Sequence, residues 1–382
     1  AVSRSKEKPY TILLYASSES DADVLYATGF HCPDPFIFIR TAAGKRIYVM
    51  SDLEIDRARK QSNAHRVLSL SHYTARAMER TGKLPGVSEV IAEVFRDLKI
   101  RAVTVSPTAA AGIVEGLREN GVRVHVSRTP LFPGRVIKTP AEVANIRRAM
   151  RATEAGVQAA IDLLRRATIR DGWVMSDGQR LTAERLRQVI NAEIFARGCV
   201  PANTIVAAGR RGCDPHDVGG GPIRANQPII IDVFPRSEAT GYFADITRTV
   251  VKGTASDMVR DIYETVLAGQ RLGLRMIRHG ARSRDIHGAI LDLFESRGFP
   301  TGEAGGRMQG FFHGTGHGLG LEIHEPPRIA INDTVLKAGM VVTVEPGLYY
   351  HPVGGVRIED TVQVTRTGMR NLTRFPKFLE IP

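Results

Sequence analysis

Short apolar runs alternate with amphipathic stretches through the first third of the chain. Residues 10–15 (YTILLY) form a compact apolar run that predicts a strand, and residues 21–30 suit a helix followed by a turn. Residues 35–39 and 46–50 read as two strands joined by a polar turn over 41–45, the signature of a hairpin. Helical periodicity returns over 85–98 and 109–120, the latter ended by Gly121, and strands are predicted over 102–105 and 122–126. Such alternation predicts an α/β layer arrangement. No phosphate-cradling glycine loop follows any of these strands. Nothing gathers chemically here, so this part is expected to act as a lid, a dimer surface or a wall that sets specificity.

A boundary is expected over 129–138, where TPLFPGRVIK holds two prolines and a glycine. Thr139-Pro140-Ala141-Glu142 then reads as a capping box with proline at the first helical position. The helix it opens carries Val143, Ile146, Met150, Val157, Ile161 and Leu164 at three- and four-residue spacing over much of its length, an amphipathic stripe. Further helices are predicted over 181–197, stopping at Gly198, and over 257–278 and 284–297. Strands are predicted over 204–208, 228–233, 242–251, 340–344 and 355–364. Residues 169–180 read as an extra loop, with Trp173 expected as a core anchor. The expectation is a domain over 1–134 and an α+β domain over 139–382, with helices covering a strongly curved antiparallel sheet.

The length of 382 residues fits two domains. With 43% hydrophobic and 24% charged residues, global disorder is excluded. No stretch reaches the ~20 apolar residues that span a bilayer, and the first residues lack the apolar core of a signal peptide. Cytoplasmic residence away from membranes is therefore expected. Three cysteines without CxxC spacing exclude a disulfide framework and a thiolate zinc site, and read as free, semi-buried thiols. A net charge of +12 raises the question of nucleic acid. The basic residues are dispersed and aromatics make up only 6%, so a solvated surface is expected and no nucleic-acid partner.

Five groups carry the chemistry: Asp232 at the end of an apolar run, Asp245 in GYFADITRT, His317 in HGTGHGLGLEIHE, Glu345 in VVTVEPG and Glu359 in GGVRIEDT. Each alone has an ordinary reading. Asp232 could form a turn, Asp245 could pair with Arg248, and Glu345 could open the turn at Pro346-Gly347. Glu359 could pair with Arg357 on the same strand face, and His317 could be a satisfied core histidine. Together they read differently, because all five fall on separate apolar strands able to converge in one sheet. Buried carboxylates are costly unless paired or bound to a cation, and the nearby arginines cannot neutralise four of them. Two divalent ions would supply about +4. One imidazole with four carboxylates is a hard, oxygen-rich set that suits manganese, cobalt, zinc or iron. Carboxylates that bridge would hold such ions about 3.5–4 Å apart, polarising a carbonyl and activating a bridging water as hydroxide. His313 and His324 nearby, with His216 after AGRRGCDP, could donate to an oxyanion and a leaving group.

The segments GYFADITRT, HGTGHGLGLEIHEPP, VVTVEPGLY and GGVRIEDT, in that order, resemble the pita-bread metallopeptidase family. That family includes proline dipeptidases (prolidases), Xaa-Pro aminopeptidases and methionine aminopeptidases. The resemblance is strong over 139–382. DADVLYATGF and IKTPAEVANIRRA resemble, more loosely, a creatinase-type N-terminal domain and its junction. The resemblance implies the pita-bread fold, with Asp232, Asp245, His317, Glu345 and Glu359 as ligands of two divalent metal ions, and manganese as the expected metal. Asp245 and Glu359 would bridge. His216 and His324 would contact the scissile-peptide oxygen and the substrate backbone, His313 would line the pocket, and Glu345 would shuttle a proton to the leaving amine. Arg357 would hold the substrate's far carboxylate or order Glu359.

Most methionine aminopeptidases lack such an N-terminal domain. The resemblance therefore implies a homodimer that hydrolyses the N-terminal Xaa-Pro bond of a proline-containing peptide or dipeptide by way of a metal-bridging hydroxide. Aminopeptidase and strict dipeptidase both stay open. Two other readings keep the fold: a catalytically silent protein that binds peptide or nucleic acid, and a metal-independent amidinohydrolase of the creatinase kind. The complete ligand set argues against both. One departure is the interval VFPRSEATGYFA between Asp232 and Asp245, about two residues longer than in many members, an extension a hairpin tip tolerates at tenths of a kcal/mol.

Overall fold

The structure, a computed structural model, describes residues 10–382. The chain divides into two compact units, one ending at Arg135 and the other spanning Val136–Pro382.

The first unit is built on a six-stranded sheet. Its strand order is Arg66–Ser69, Arg46–Met50, Phe36–Arg40, Ile12–Ala16, Ala102–Val105 and Arg123–Val126. The expected hairpin is present, with Ile37 opposite Val49 and Ile39 opposite Ile47. Alternate residues serve different cores. Leu13, Ile37, Ile39 and Val49 face one apolar cluster, and Ile12, Leu14, Phe38 and Tyr48 face another. Burial on both faces explains why these strands read as continuous apolar runs. Three elements were not expected: the helices Ile55–Gln61 and Leu70–Thr81 and the strand Arg66–Ser69. The first helix has seven residues and buries only Ile55 and Ala58, and the strand buries only Leu68, so neither leaves a periodic signature.

The second unit opens with the capping box. The Thr139 side chain accepts from the Glu142 amide while Glu142 accepts from the Thr139 amide, starting the helix Pro140–Arg166. This helix packs on Ala183–Phe195 at Gly156, where an added Cβ would lie 2.9 Å from Ile194 Cγ1. A second helix pair, Asp257–Met276 and Ser283–Ser296, meets closely at Gly269 against Phe294. Two sheets lie with these helices. One has four strands, ordered Ile205–Ala208, Pro228–Val233, Ile246–Lys252 and Glu380–Ile381, the last pair parallel. The other has five, ordered Glu325–Ile329, Gly316–Gly318, Val341–Val344, Asp360–Val364 and Met369–Asn371. A separate hairpin, Gly347–Tyr350 with Gly354–Arg357, joins the first sheet through Thr249, whose hydroxyl bonds the backbone of Arg357 in both directions.

Four expectations are corrected. Residues 169–180 are no loop but belong to a three-stranded meander, Thr168–Arg170, Trp173–Ser176 and Gln179–Arg180. Trp173 is half-buried and stacks between Arg180 and Arg224, 4.4 and 4.2 Å from its ring centre, rather than anchoring a core. The apolar run 355–364 breaks at Ile358-Glu359 into two strands of different sheets. The strand predicted over 242–251 begins at Ile246, because residues before it turn back to meet Arg236–Ser237. All three cysteines are free and buried, and among the described residues no helix is long and apolar enough to cross a membrane.

Candidate active site

The five candidate ligands come from two sheets and a turn, not from one sheet. Asp232 is the fifth residue of Pro228–Val233, and Asp245 immediately precedes the antiparallel partner strand Ile246–Lys252. The extended interval between them does more than lengthen a tip. Its Arg236–Ser237 pairs with Cys199–Val200, and its Phe234 reaches the cavity described below. His317 is the middle residue of Gly316–Gly318, Glu345 follows Val341–Val344, and Glu359 sits between Gly354–Arg357 and Asp360–Val364.

These side chains converge. His317 Nε2 lies 3.2 Å from Glu345 Oε1 and 3.6 Å from Asp245 Oδ2. Ligand atoms of Asp245, His317 and Glu359 all lie within 4.8 Å of one another. His317 Nδ1 is 3.2 Å from the carbonyl of Gly318, an acceptor only, so Nδ1 carries a proton and Nε2 is the ring nitrogen turned to the carboxylates. Three buried carboxylate oxygens have no hydrogen-bond donor: Asp232 Oδ1, Asp245 Oδ1 and Glu359 Oε1. Burial, and then the neighbouring carboxylates, push Asp245 and Glu359 well above the usual carboxylate range. Burial likewise raises Asp232. Crowded, undonated carboxylate oxygens beside one imidazole nitrogen are what a divalent cation satisfies, so the residues present fit such a group.

Three of the other carboxylate oxygens have donors. Thr247 Oγ1 donates to Glu359 Oε2 at 2.8 Å, Thr343 Oγ1 to Glu345 Oε1 at 3.1 Å, and Arg357 Nη2 to Asp232 Oδ2 at 2.6 Å. Arg357 thus binds Asp232 directly and reaches Glu359 only through Thr247, to whose Oγ1 its Nε donates at 3.3 Å. It also donates to Tyr349 Oη at 2.9 Å, which leaves no open guanidinium face for a substrate's far carboxylate. Burial works against the Arg357 charge, yet Tyr349 and Asp232 hold its pKa above the usual value. A directed chain follows. His313 Nδ1 donates to the Gly314 carbonyl at 2.8 Å, so His313 Nε2 accepts from Tyr349 Oη at 2.9 Å.

A cavity of about 650 Å³ opens beside these groups and is lined by His216, His313 and His324 as well as by Asp232, Asp245, His317, Glu345 and Arg357. Burial lowers His313 to about 4. The His324 ring packs edge-on against His317, with centres 4.4 Å apart. Though open to the cavity, it too is lowered to about 4, by partial burial and then by His317 and Arg328. Both imidazoles are neutral near pH 7. His216 is exposed at the cavity wall. Sequence reasoning missed Tyr349, Thr247 and Arg328, along with the apolar walls Ile205, Phe234, Phe312 and Ile323. Tyr349 in EPGLYY and Arg328 in HEPPR stand close to residues already singled out, which was the available signal.

A cavity walled by three imidazoles beside a clustered carboxylate–imidazole centre, in a unit of curved sheets and two helix pairs, has the pita-bread architecture. Residues 144–366 match metallopeptidase family M24, more than half of the chain, and the chain belongs to that family. Divalent metal use follows from that membership. The Xaa-Pro dipeptidase of Pyrococcus furiosus is 36% identical over 248 residues, covering 63% of this chain and 64% of that protein. Xaa-Pro aminopeptidase 1 of Streptomyces coelicolor is 32% identical over 286 residues, covering 67% and 54%. In sequence, then, the matches span less than two thirds of these relatives' length. The solved prolidase of Pyrococcus furiosus superposes with a TM-score of 0.78 at 27% identity, over 96% of this chain and 97% of that one. The X-Pro aminopeptidase of Thermotoga maritima shares the fold, with a TM-score of 0.80 at 23% identity over 97% of each chain.

Proposed function

We propose that this protein is an exopeptidase that hydrolyses the bond between an N-terminal residue and proline, using two divalent cations held by Asp232, Asp245, His317, Glu345 and Glu359. One observation carries the reading: Asp232, Asp245 and Glu359 each keep a buried carboxylate oxygen without a donor, and Asp245 and Glu359 cluster with His317 beside a peptide-sized cavity. The relatives named for Xaa-Pro substrates support the choice of proline. Proline's tertiary amide has no N–H and a fixed φ, so its bond needs a dedicated pocket.

When bound, the cations supply a Lewis acid for the scissile carbonyl and lower the pKa of water. The chain's own groups do the rest. His216 and His324 donate N–H to the carbonyl oxygen as negative charge develops on it. Glu345 accepts a proton from the attacking water and passes it to the leaving proline nitrogen. His313 stays fixed by Tyr349 and Gly314 and shapes the wall. Arg357 holds Asp232 in place. Among the described residues no ion pair engages Arg328, the lining cation left to meet a substrate carboxylate; this supports a dipeptide over a longer peptide.

Chelation is expected to abolish Ala-Pro hydrolysis, with manganese restoring it, and Glu345→Gln is expected to fold normally with turnover reduced by roughly 10²-fold or more. A chelator-insensitive activity overturns the metal reading. Cleavage of Ala-Pro-Ala as fast as Ala-Pro overturns the dipeptide preference.

A further inference from the structure

The His216 ring is exposed, so packing alone does not set its direction. The backbone that carries it is bound unusually tightly. Residues 214–221 turn back at Asp217, whose amide bonds the Asp214 carbonyl at 2.9 Å. Arg211 grips the Asp217 carboxylate with two nitrogens, both at 3.0 Å, and Asp217 Oδ1 also accepts the Gly219 amide at 2.8 Å. Arg187, from the helix Ala183–Phe195, donates to the carbonyls of Val218 and Gly219, while Glu184 of that helix accepts the Gly221 amide at 3.0 Å. On the other flank of His216, Arg307 pairs with Asp214 at 2.5 Å. Gly219, at φ +78°, lets the turn lie against the adjoining strand; a Cβ there would fall 1.7 Å from the Val206 carbonyl oxygen.

Ion pairs this exposed, with Arg211 about half accessible, contribute little to stability. Geometry gives the network another use. A two-nitrogen fork on a carboxylate fixes direction as well as distance, and misplacing a catalytic group by about 1 Å costs roughly 10²-fold in rate. We propose that Asp217, clamped by Arg211, is a positioning residue that aims the His216 imidazole at the reacting carbonyl. The inference rests on the role of His216 proposed above.

The test uses the manganese-loaded full chain and Ala-Pro, with His216→Ala, Asp217→Asn, Arg211→Lys and the double variant His216→Ala/Asp217→Asn. His216→Ala is expected to lose about 10²-fold in kcat/KM. Asp217→Asn, which keeps the shape but weakens the fork, is expected to lose about tenfold, mostly in kcat, with Tm within about 2 °C of wild type and bound manganese unchanged. Arg211→Lys keeps the charge without the fork and is expected to fall between Asp217→Asn and wild type. In the His216→Ala background, Asp217→Asn should cost nothing further. Full turnover in His216→Ala overturns the role of His216 and the inference with it. A defective His216→Ala beside a wild-type-like Asp217→Asn overturns the inference alone. So does a further loss in the double variant, or a loss that merely follows Tm.

Discussion

Replacing Arg357 with methionine is the sharpest test of how the buried charges are balanced. The guanidinium is 3% exposed and donates to Asp232 at 2.6 Å, to Tyr349 at 2.9 Å and to Thr247 at 3.3 Å. Methionine preserves much of the volume but leaves Asp232 with no donor on either oxygen, since Oδ1 has none already. Breaking a buried ion pair by removing one partner costs about 3–5 kcal/mol, and the two hydroxyl contacts bring the expectation to roughly 4–6 kcal/mol without assuming additivity. For a unit of this size that is a fall in Tm on the order of 10–20 °C in the metal-free protein. Manganese changes the balance, because a cation beside Asp232 supplies the charge the arginine no longer does. The deficit of Arg357→Met against wild type should therefore be larger with chelator than with saturating manganese. Scanning fluorimetry of both proteins in both conditions measures it. A metal-free deficit below about 1 kcal/mol, or one that manganese leaves unchanged, refutes the reasoning.

Two further outcomes follow. Gly316→Ala places a Cβ 2.0 Å from the Thr343 carbonyl oxygen, so the strand bearing His317 must move off its neighbour. A stability loss of about 2 kcal/mol or more and weaker manganese binding by calorimetry are expected, and unchanged affinity with unchanged Tm contradicts this. In the first unit, Glu93 is buried among Arg76, Arg80 and Arg96, at 3.1, 3.1 and 2.6 Å. Burial pushes its carboxyl up, but the arginines outweigh that and hold it below the usual range. A folded pKa below the unfolded one stabilises above the unfolded value and is lost as pH falls through the folded one. Glu93→Gln should thus be less stable than wild type by about 2 kcal/mol at pH 7, with the gap closing in acid. A gap that urea denaturation finds constant or widening on acidification counts against it.

The candidate site of the second unit was legible because its residues stand in ordered, unusual company: a histidine among glycines, and carboxylates at the ends of runs such as VVTV and PIII. Element positions were legible where one face or both were buried over enough length, as in the stripe from Val143 to Leu164. Pairings were not. Nothing local in GGVRIEDT says that the strand changes sheets at Glu359, because that break is set by Thr247 and Thr249 across the neighbouring strand. Nor does any local pattern reveal that Arg357 serves Asp232, which is distant in the chain. The meander around Trp173 escaped for a different reason. Its strands have two to four residues and are largely exposed, too short for periodicity to register.

The five candidate ligands are drawn from two sheets and the turns beside them, with Asp232 and His317 on strands that share no backbone ladder. Whatever occupies their meeting point therefore acts as a rivet as well as a reagent. If the proposed ions bind there, losing them would remove the chemistry and, in the same event, one tie between the two sheets beyond buried contacts such as Arg248 with Asp360, so starvation for metal should be felt in the protein's cohesion as well as in its turnover.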